Sequence, residues 1–423
     1  MNKKLLAKIL SAVLAVIFAF GVLITPATQV HAAASRKIAY LDMIEAAGTN
    51  FLKAQYEAKE IAYTSLEKSD LVPMYDDGNA IVGYILILDR DGSKDYVVID
   101  TVLNKMDEFG FDSDELTDAF KNPEKLLYAG TLNYAYRENG QLKNLGGEVI
   151  DEKEFSKAVN SFKTVGAMAA TRVNGWDGII DWANIADRVN NWHNGKQNAS
   201  IRTSYMYYLP GIYRGGVASN LEFIDQNVYN YYYNQSHGTN ADGTCGPTAM
   251  ANMFIYFDRQ LGKTNALVND NAHSTFTSFM YHTDWFNWTN WNWWNNTISG
   301  FRAVASQQGY NANVKAYSNA NWSCFKYLLQ DQNMPVYACF AVNTDYEGYW
   351  NHAVVVLGAE EFELKYSTST SYWFFGWRER VTWHTEYLQY LRVIDGWYSS
   401  NSARFVDFNG YYTKSQAIGV GLN

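Results

Sequence analysis

A cysteine placed ahead of an amphipathic apolar pattern is the first feature of this sequence that could do chemistry. Cys245 lies in the stretch Asp-Gly-Thr-Cys-Gly-Pro-Thr-Ala-Met, and apolar residues with a helical period continue to Phe257. Pro247 suits the first turn of a helix, where its missing N–H is no loss. The pattern predicts a helix that begins at Cys245. The unpaired N–H groups and the dipole at the start of this helix would lower the pKa of the Cys245 thiol. A nucleophilic thiolate is therefore one interpretation, and a buried structural cysteine is the other.

A cysteine nucleophile needs a histidine that exchanges its proton and a third group that orients the imidazole. His352 stands at the start of the apolar run 353–356, where a polar side chain can face a cleft. Asp395 closes the apolar run 391–394, and Asp407 is the competing acid. In an antiparallel sheet a strand start and a strand end can be neighbours, so we expect His352 and Asp395 to meet.

Acyl transfer also needs hydrogen-bond donors for the developing oxyanion. Gln235 precedes Cys245 by ten residues and is the candidate side-chain donor, with the Cys245 backbone N–H as the second. Asn234 and Asn240 are alternatives that the sequence leaves open.

These motifs together resemble the papain-like cysteine peptidases, in particular the group related to bacteriocin-leader-processing peptidases. The resemblance covers roughly residues 230–400 and follows the order Gln235, Cys245, His352, Asp395. It implies a papain-like fold, with a central helix carrying the cysteine and an antiparallel sheet carrying the histidine and the aspartate. It also implies peptide-bond hydrolysis through an acyl-enzyme on Cys245, with His352 as general base and acid, Asp395 as its orienting group and no cofactor.

Composition divides the chain near residue 165. All 14 tryptophans lie between 176 and 397, whereas residues 33–165 contain none and carry 24 acidic against 15 basic residues. We therefore expect an N-terminal unit over 33–165, a connection over 166–200 and a second unit over 201–423.

The N-terminal unit reads as a small α+β domain. Apolar spacing over 38–66 predicts one or two helices broken at Gly48, and 71–99 predicts an antiparallel meander. Asn139-Gly140 predicts a tight hairpin turn, and Asp151 predicts a capped helix with Phe155, Val159 and Phe162 as its buried stripe. The meander resembles propeptides of secreted bacterial cysteine proteases such as streptopain.

The second unit reads as helices followed by strands. Helices are predicted to follow Cys245 and to cover 298–308 and 322–330, with strands at 336–342, 353–357 and 391–394. This order is typical of an α+β fold with an antiparallel sheet. Cys324 and Cys339 are expected to be core thiols.

The first 32 residues have the features of a bacterial-type secretory signal peptide. Three lysines precede an apolar run over 9–24, and Val30-His31-Ala32 provides a small-residue cleavage site. We expect an exported, extracellular protein without a stable membrane anchor. A net charge of −9 with no basic cluster disfavours nucleic-acid partners, and no His/Cys cluster has zinc spacing.

The leading hypothesis is a secreted cysteine endopeptidase made as a zymogen. Its partners would be a polypeptide substrate and its own propeptide, which would act as an inhibitor. A cell-wall amidase or endopeptidase on the same fold is the alternative enzyme. A glycan-binding surface protein is the third hypothesis, suggested by the regularly spaced Trp285, Trp288, Trp291 and Trp294.

Overall fold

The structure is a computed structural model in which part of the chain is described. The described residues are 26–169, 178–185, 192–193, 196–197, 199–213, 216–226, 244–283, 293–341, 352–373, 377–397, 403–408 and 414–423. Most of the predicted signal peptide, residues 1–25, lies outside them. Among the described residues, no helix has the length and apolar character needed to cross a bilayer.

Eight α-helices and sixteen strands are found in the described residues. The helices are α1 Pro26–Lys59, α2 Asp114–Lys121, α3 Glu152–Ala169, α4 Gly178–Ala183, α5 Cys245–Arg259, α6 Ala272–His282, α7 Trp293–Gln307 and α8 Trp322–Lys326. The first seven strands are β1 Leu66–Tyr75, β2 Ile81–Arg90, β3 Ser93–Asp100, β4 Lys105–Phe111, β5 Leu126–Tyr128, β6 Tyr134–Glu138 and β7 Gln141–Asn144. The remaining strands are β8 Trp192–His193, β9 Lys196–Gln197, β10 Ala199–Tyr208, β11 Ala312–Tyr317, β12 Val336–Ala341, β13 His352–Trp373, β14 Trp377–Ile394, β15 Ala403–Asp407 and β16 Lys414–Leu422.

One large mixed sheet runs through both predicted units. Fourteen of the described strands join it, in the order β11-β16-β12-β13-β14-β15-β4-β3-β2-β1-β5-β6-β7, with β10 paired to β13. All of these pairs are antiparallel except β1 with β5. The predicted α+β class is therefore correct.

The sheet crosses the predicted boundary between the units where β15 pairs with β4. Ala403 is opposite Phe111, and Val406 is opposite Glu108. Without this pairing, β15 and β4 would each expose an edge of unpaired backbone N–H and C=O groups to solvent. The pairing satisfies these groups on both strands. The N-terminal unit and the second unit share a continuous hydrogen-bonded layer.

The meander of the N-terminal unit is buried on both faces. Along β2, Ile85 and Ile87 belong to one hydrophobic cluster, whereas Leu86 and Leu88 belong to another. The second cluster is covered by α1, whose Phe51 packs edge-on against Phe109 with ring centroids 5.3 Å apart. This two-sided burial explains why the strand reads as a continuous apolar run rather than an alternating one.

Helix α5 is the central helix of the second unit. Every residue from Gly246 to Phe257 is buried, and the helix packs against α6, β12 and β13. A helix that is enclosed on all sides belongs to the interior of a domain. Its first residue, Cys245, is therefore held at a fixed place relative to the two strands.

A buried ion pair also links the two predicted units. The Nζ atom of Lys59, the last residue of α1, lies 2.5 Å from a carboxylate oxygen of Glu360 in β13, and both side chains are fully buried. The same ammonium lies 4.7 Å from the Phe405 ring centroid and 5.1 Å from that of Phe109. Aromatic faces and a carboxylate thus replace the water that a buried cation loses.

Several local predictions are confirmed. The meander is antiparallel, Asn139 and Gly140 have the positive φ of the predicted hairpin turn, and α3 buries the stripe Phe155, Val159 and Phe162. Asp151 caps α3 by accepting hydrogen bonds from the N–H groups of Lys153 and Glu154.

Other local predictions are wrong in extent. Helix α1 continues through Gly48 without a break. The glycine serves close packing and does not end the helix, since a Cβ at this position would clash with Leu86 and Ile99 of the sheet. Strands β13 and β14 are far longer than the apolar runs at 353–357 and 391–394, since their outer parts pair with each other as a ribbon. Cys324 is only partly buried, whereas Cys339 is buried, and none of the three cysteines, all of which are described, forms a disulfide.

The tryptophans of the connection and those of the glycan-binding hypothesis are partly described. Trp182 of α4 is buried, and its ring centroid is 5.1 Å from that of Phe51 in α1. Trp294 packs partly buried against the core. The residues Trp285, Trp288 and Trp291 lie outside the described residues.

We predict that Lys59→Met lowers the free energy of unfolding by about 3–5 kcal/mol, because it leaves the Glu360 carboxylate buried without its cation. Denaturant unfolding of the full chain measures this change. The matched control is Lys68→Met, which removes the partner of Glu45 from an exposed pair and should cost less than about 1 kcal/mol. The double variant Lys59→Met/Glu360→Leu should recover most of the loss, and a Lys59→Met cost as small as that of the control would contradict the prediction.

Candidate active site

Cys245 is the first residue of α5, as the sequence predicts. The sulfur accepts hydrogen bonds from the backbone N–H groups of Ala353, Gly246 and Cys245 itself. The bond from Ala353 brings the sulfur beside the residue that follows His352 in β13. The helix start and the beginning of β13 are therefore joined at the sulfur.

The electrostatic state of the thiol differs from the sequence-based expectation. Burial, together with the negative charge of Glu148, raises the pKa of Cys245 to about 11, although the three N–H groups act in the opposite direction. The predicted lowering of the pKa is therefore wrong for the intact chain, because desolvation of the sulfur outweighs the helix N-terminus. At neutral pH Cys245 is a thiol.

His352 is the first residue of β13 and is buried. Its Nε2 atom lies 2.9 Å from the backbone carbonyl oxygen of Asp395. Because a carbonyl oxygen only accepts hydrogen bonds, Nε2 carries the hydrogen, and Nδ1 is the nitrogen that can take a proton. Burial and the charge of Arg404 lower the pKa of His352 to about 3, so the imidazole is neutral at physiological pH.

Asp395 meets His352 as expected, but through its backbone rather than its carboxylate. The carboxylate forms an ion pair with the Nη1 atom of Arg404 and accepts a hydrogen bond from the N–H of Trp397 at 3.1 Å. Arg404 also donates from Nε to Glu108 in β4 at 2.8 Å. The predicted bond from imidazole to carboxylate is thus replaced, since the buried guanidinium recruits the carboxylate. The competing acid Asp407 pairs instead with Lys105, 2.6 Å away.

The turn after β14 shapes the wall beside the imidazole. Gly396 has φ +76°, and a Cβ on it would come within 3.0 Å of Thr248 in α5, so glycine allows the turn to approach the helix. The turn directs Trp397 onto His352, with ring centroids 4.4 Å apart and an interplanar angle of 28°. The indole covers one face of the imidazole and holds the ring plane.

The predicted oxyanion donor, Gln235, lies outside the described residues, as do the alternatives Asn234 and Asn240. Another glutamine, Gln226, lies at the site. Its backbone N–H donates to the Gly396 carbonyl at 2.7 Å, and its Nε2 donates to Glu148 at 2.5 Å. The segment before it is fixed to α5, because the Ile224 N–H donates to the Asn252 side chain at 2.7 Å.

Three residues of this site were missed by the sequence analysis. Arg404 carried a usable signal, since it is a lone cation inside the short apolar run Ala403–Val406 and is buried. Gln226 and Glu148 carried none, because their meeting depends on how two distant segments pack.

The arrangement brings a thiol, a neutral imidazole with Nδ1 able to accept a proton, and backbone N–H groups into one place. These are the parts that nucleophilic acyl transfer requires. In the intact chain, however, the thiol and the imidazole are both uncharged.

Comparison with known families agrees with this chemistry. Residues 228–384 match the Peptidase_C39 like family, a papain-like cysteine peptidase group. The matched range includes Cys245 and His352 and ends before Asp395. The match confirms the resemblance drawn from the motifs. No curated protein matches the chain.

We predict that iodoacetamide modifies Cys245 slowly at pH 7 in the intact chain and about tenfold faster for each added pH unit, levelling only near pH 11. The reason is that only the thiolate reacts and the raised pKa keeps its fraction small. Peptide mapping by mass spectrometry separates Cys245 from the partly exposed Cys324, which is the internal control. A rate for Cys245 that levels below pH 9 would contradict the prediction.

Proposed function

We propose, from the match of residues 228–384 to this peptidase family, that the protein is a cysteine endopeptidase with Cys245 as nucleophile and His352 as general base and acid. The observation that carries the proposal is the junction at the sulfur, where the start of α5 meets the start of β13 through the Ala353 N–H. The papain-like arrangement of central helix and antiparallel sheet supports it.

In the proposed reaction the Cys245 sulfur gives its proton to Nδ1 of His352 and attacks the carbonyl carbon of the scissile peptide. The imidazolium then returns the proton to the leaving amine as the C–N bond breaks, which leaves an acyl-enzyme. Water attacks the acyl carbon, transfers a proton to the imidazole and releases the carboxylic acid as the thiolate departs. Nε2–H, fixed on the Asp395 carbonyl, keeps the ring in the tautomer that this sequence of steps requires.

The role of the Asp395 carboxylate depends on Arg404. While Arg404 holds it, the carboxylate cannot accept the imidazole N–H. Arg404 is in turn held by Glu108 of the N-terminal unit. Loss of the N-terminal unit would remove Glu108 and open the guanidinium to solvent, and the carboxylate could then orient and stabilise the imidazolium.

We propose further that the protein is exported and latent, with residues 33–165 acting as the inhibitory propeptide. The support is the uncharged state of Cys245 and His352, to which Glu148 and the Glu108–Arg404 pair contribute. Because β4 pairs with β15 and Lys59 pairs with Glu360, cutting the chain within 166–200 would not by itself separate the units.

We predict that Cys245→Ala abolishes hydrolysis of a denatured protein substrate by enzyme whose N-terminal unit has been digested away, because it removes the sulfur at the junction of α5 and β13. Cys324→Ala is the matched control, because it removes a partly exposed thiol from α8 and should leave hydrolysis within about twofold of the parent. Peptide products are counted by mass spectrometry, with purified peptidoglycan digested in parallel. Undiminished peptide release by Cys245→Ala would end the cysteine-peptidase proposal, and release from peptidoglycan alone would support the amidase alternative.

We also predict that a specific protease site inserted at 170–177 lets the chain be nicked while both fragments still co-elute and remain nearly inactive. Hydrolysis should rise at least about tenfold only when continued digestion destroys the N-terminal fragment, because the shared sheet and the buried ion pairs hold it in place. Size-exclusion chromatography and a peptide assay follow the two events. Full activity in the unnicked chain would contradict the zymogen proposal.

A further inference from the structure

The Gln226 side-chain amide has an unusual combination of partners at the candidate site. The residue is 1% exposed, and its Nε2 donates to the Glu148 carboxylate at 2.5 Å. Its Oε1 atom is buried and has no hydrogen-bond partner among the described residues. An unmet acceptor of this kind costs free energy in a buried place, and a ligand that supplies an N–H recovers that cost.

Gln226 lies close to the reacting groups through short backbone links. Its N–H donates to the carbonyl of Gly396 at 2.7 Å, and the carbonyl of the preceding residue, Asp395, accepts from His352. The Gln226 backbone is therefore tied to the residue that follows the support of the general base. Its side-chain amide contacts Glu148, whose charge acts on the Cys245 sulfur, so the amide and the sulfur have a common neighbour.

Glu148 belongs to the N-terminal unit and reaches Gln226 from a turn after β7. The Asn144 side chain holds this turn: its Nδ2 donates to the second carboxylate oxygen at 2.8 Å, and its Oδ1 accepts the Glu148 N–H at 3.0 Å. Gly147, with φ +81°, allows the chain to reverse there. The carboxylate is thus presented by a built turn rather than by a loose side chain.

The contact between Glu148 and Gln226 also places a negative charge near the Cys245 sulfur. Tyr337 and Cys339 face it from β12, and the His352 strand start adjoins it from β13. Glu148 adds a negative charge to these otherwise uncharged neighbours and disfavours the thiolate.

A side-chain amide with one donor and one acceptor matches the hydrogen-bonding groups of a peptide backbone. We propose that the Gln226 amide binds a backbone C=O and N–H of the polypeptide substrate. In the intact chain, Glu148 accepts the hydrogen bond from Nε2 that the substrate carbonyl would otherwise accept. The proposal rests on the proposed peptidase function and adds to it a substrate-binding residue and the group that blocks it. Nε2 would donate to the substrate carbonyl, and Oε1 would accept the substrate N–H.

The test compares two thiol reagents on the full-length chain at pH 7. Methyl methanethiosulfonate is small and lacks a peptide group, whereas a tripeptidyl chloromethyl ketone carries backbone amides. Both report the reactivity of Cys245, located by peptide mapping, and neither requires turnover. Glu148→Ala and Glu148→Ser are both made, so that unfolding of one leaves the other, and thermal unfolding checks each variant. Glu138→Ala, which removes an exposed glutamate of the neighbouring hairpin, is the matched control.

Removal of the Glu148 charge should accelerate both reagents at least about threefold, because it favours the thiolate. The peptidyl reagent should gain at least about fivefold more than the small one, because it also enters the vacated position at Gln226. Adding Gln226→Leu to either Glu148 variant should remove this extra gain and leave the gain of the small reagent. Glu138→Ala should change neither rate.

Equal acceleration of the two reagents by both Glu148 variants, or an extra gain that survives Gln226→Leu, would overturn the proposal. These outcomes are separate from failure of the proposed function. If the selective gain is found but the chain hydrolyses no peptide after loss of its N-terminal unit, the binding position stands and the peptidase function falls.

Discussion

The buried guanidinium of Arg404 is the charge on which the geometry of the candidate site depends. A buried cation must keep its partners, and Arg404 has two carboxylates: Glu108 from the N-terminal unit and Asp395 beside the general base. The backbone pairing of β15 with β4 places Arg404 between them. The conformation at Asp395 is therefore tied to the presence of a strand almost 300 residues earlier in the chain.

Burial has opposite consequences for the fold and for the chemistry. Enclosing α5 fixes Cys245 and brings its sulfur to the start of β13, which is what a reaction between the thiol and His352 requires. The same enclosure raises the pKa of the thiol and lowers that of the imidazole, so the charged pair does not form. In the proposed function, this uncharged state is the latent one, and the thiol and the imidazole would become reactive when solvent or a substrate replaces the N-terminal contacts.

The N-terminal unit contacts the candidate site at two points, through two different kinds of interaction. Through Glu108 it controls where a cation sits, and through Glu148 it places a carboxylate on Gln226 and a negative charge near the sulfur. Both points depend on strong attachment, which the shared sheet and the buried pair of Lys59 with Glu360 provide. The unit is bound as an integral layer of the structure, so the proposed inhibition would have the same origin as its contribution to stability.

Local sequence was sufficient for the parts of this protein that local forces decide. The helix beginning at Cys245, the meander, the hairpin at Asn139 and the strand positions of His352 and Asp395 follow from apolar period, turn chemistry and capping, which act within a few residues. The sharing of one sheet by both units, the pairing of Asp395 with Arg404, the place of Gln226 and the raised pKa of Cys245 were decided by tertiary structure alone. Edge pairing, burial and charge neutralisation join residues that are far apart in the chain, and no local pattern records which of them will meet.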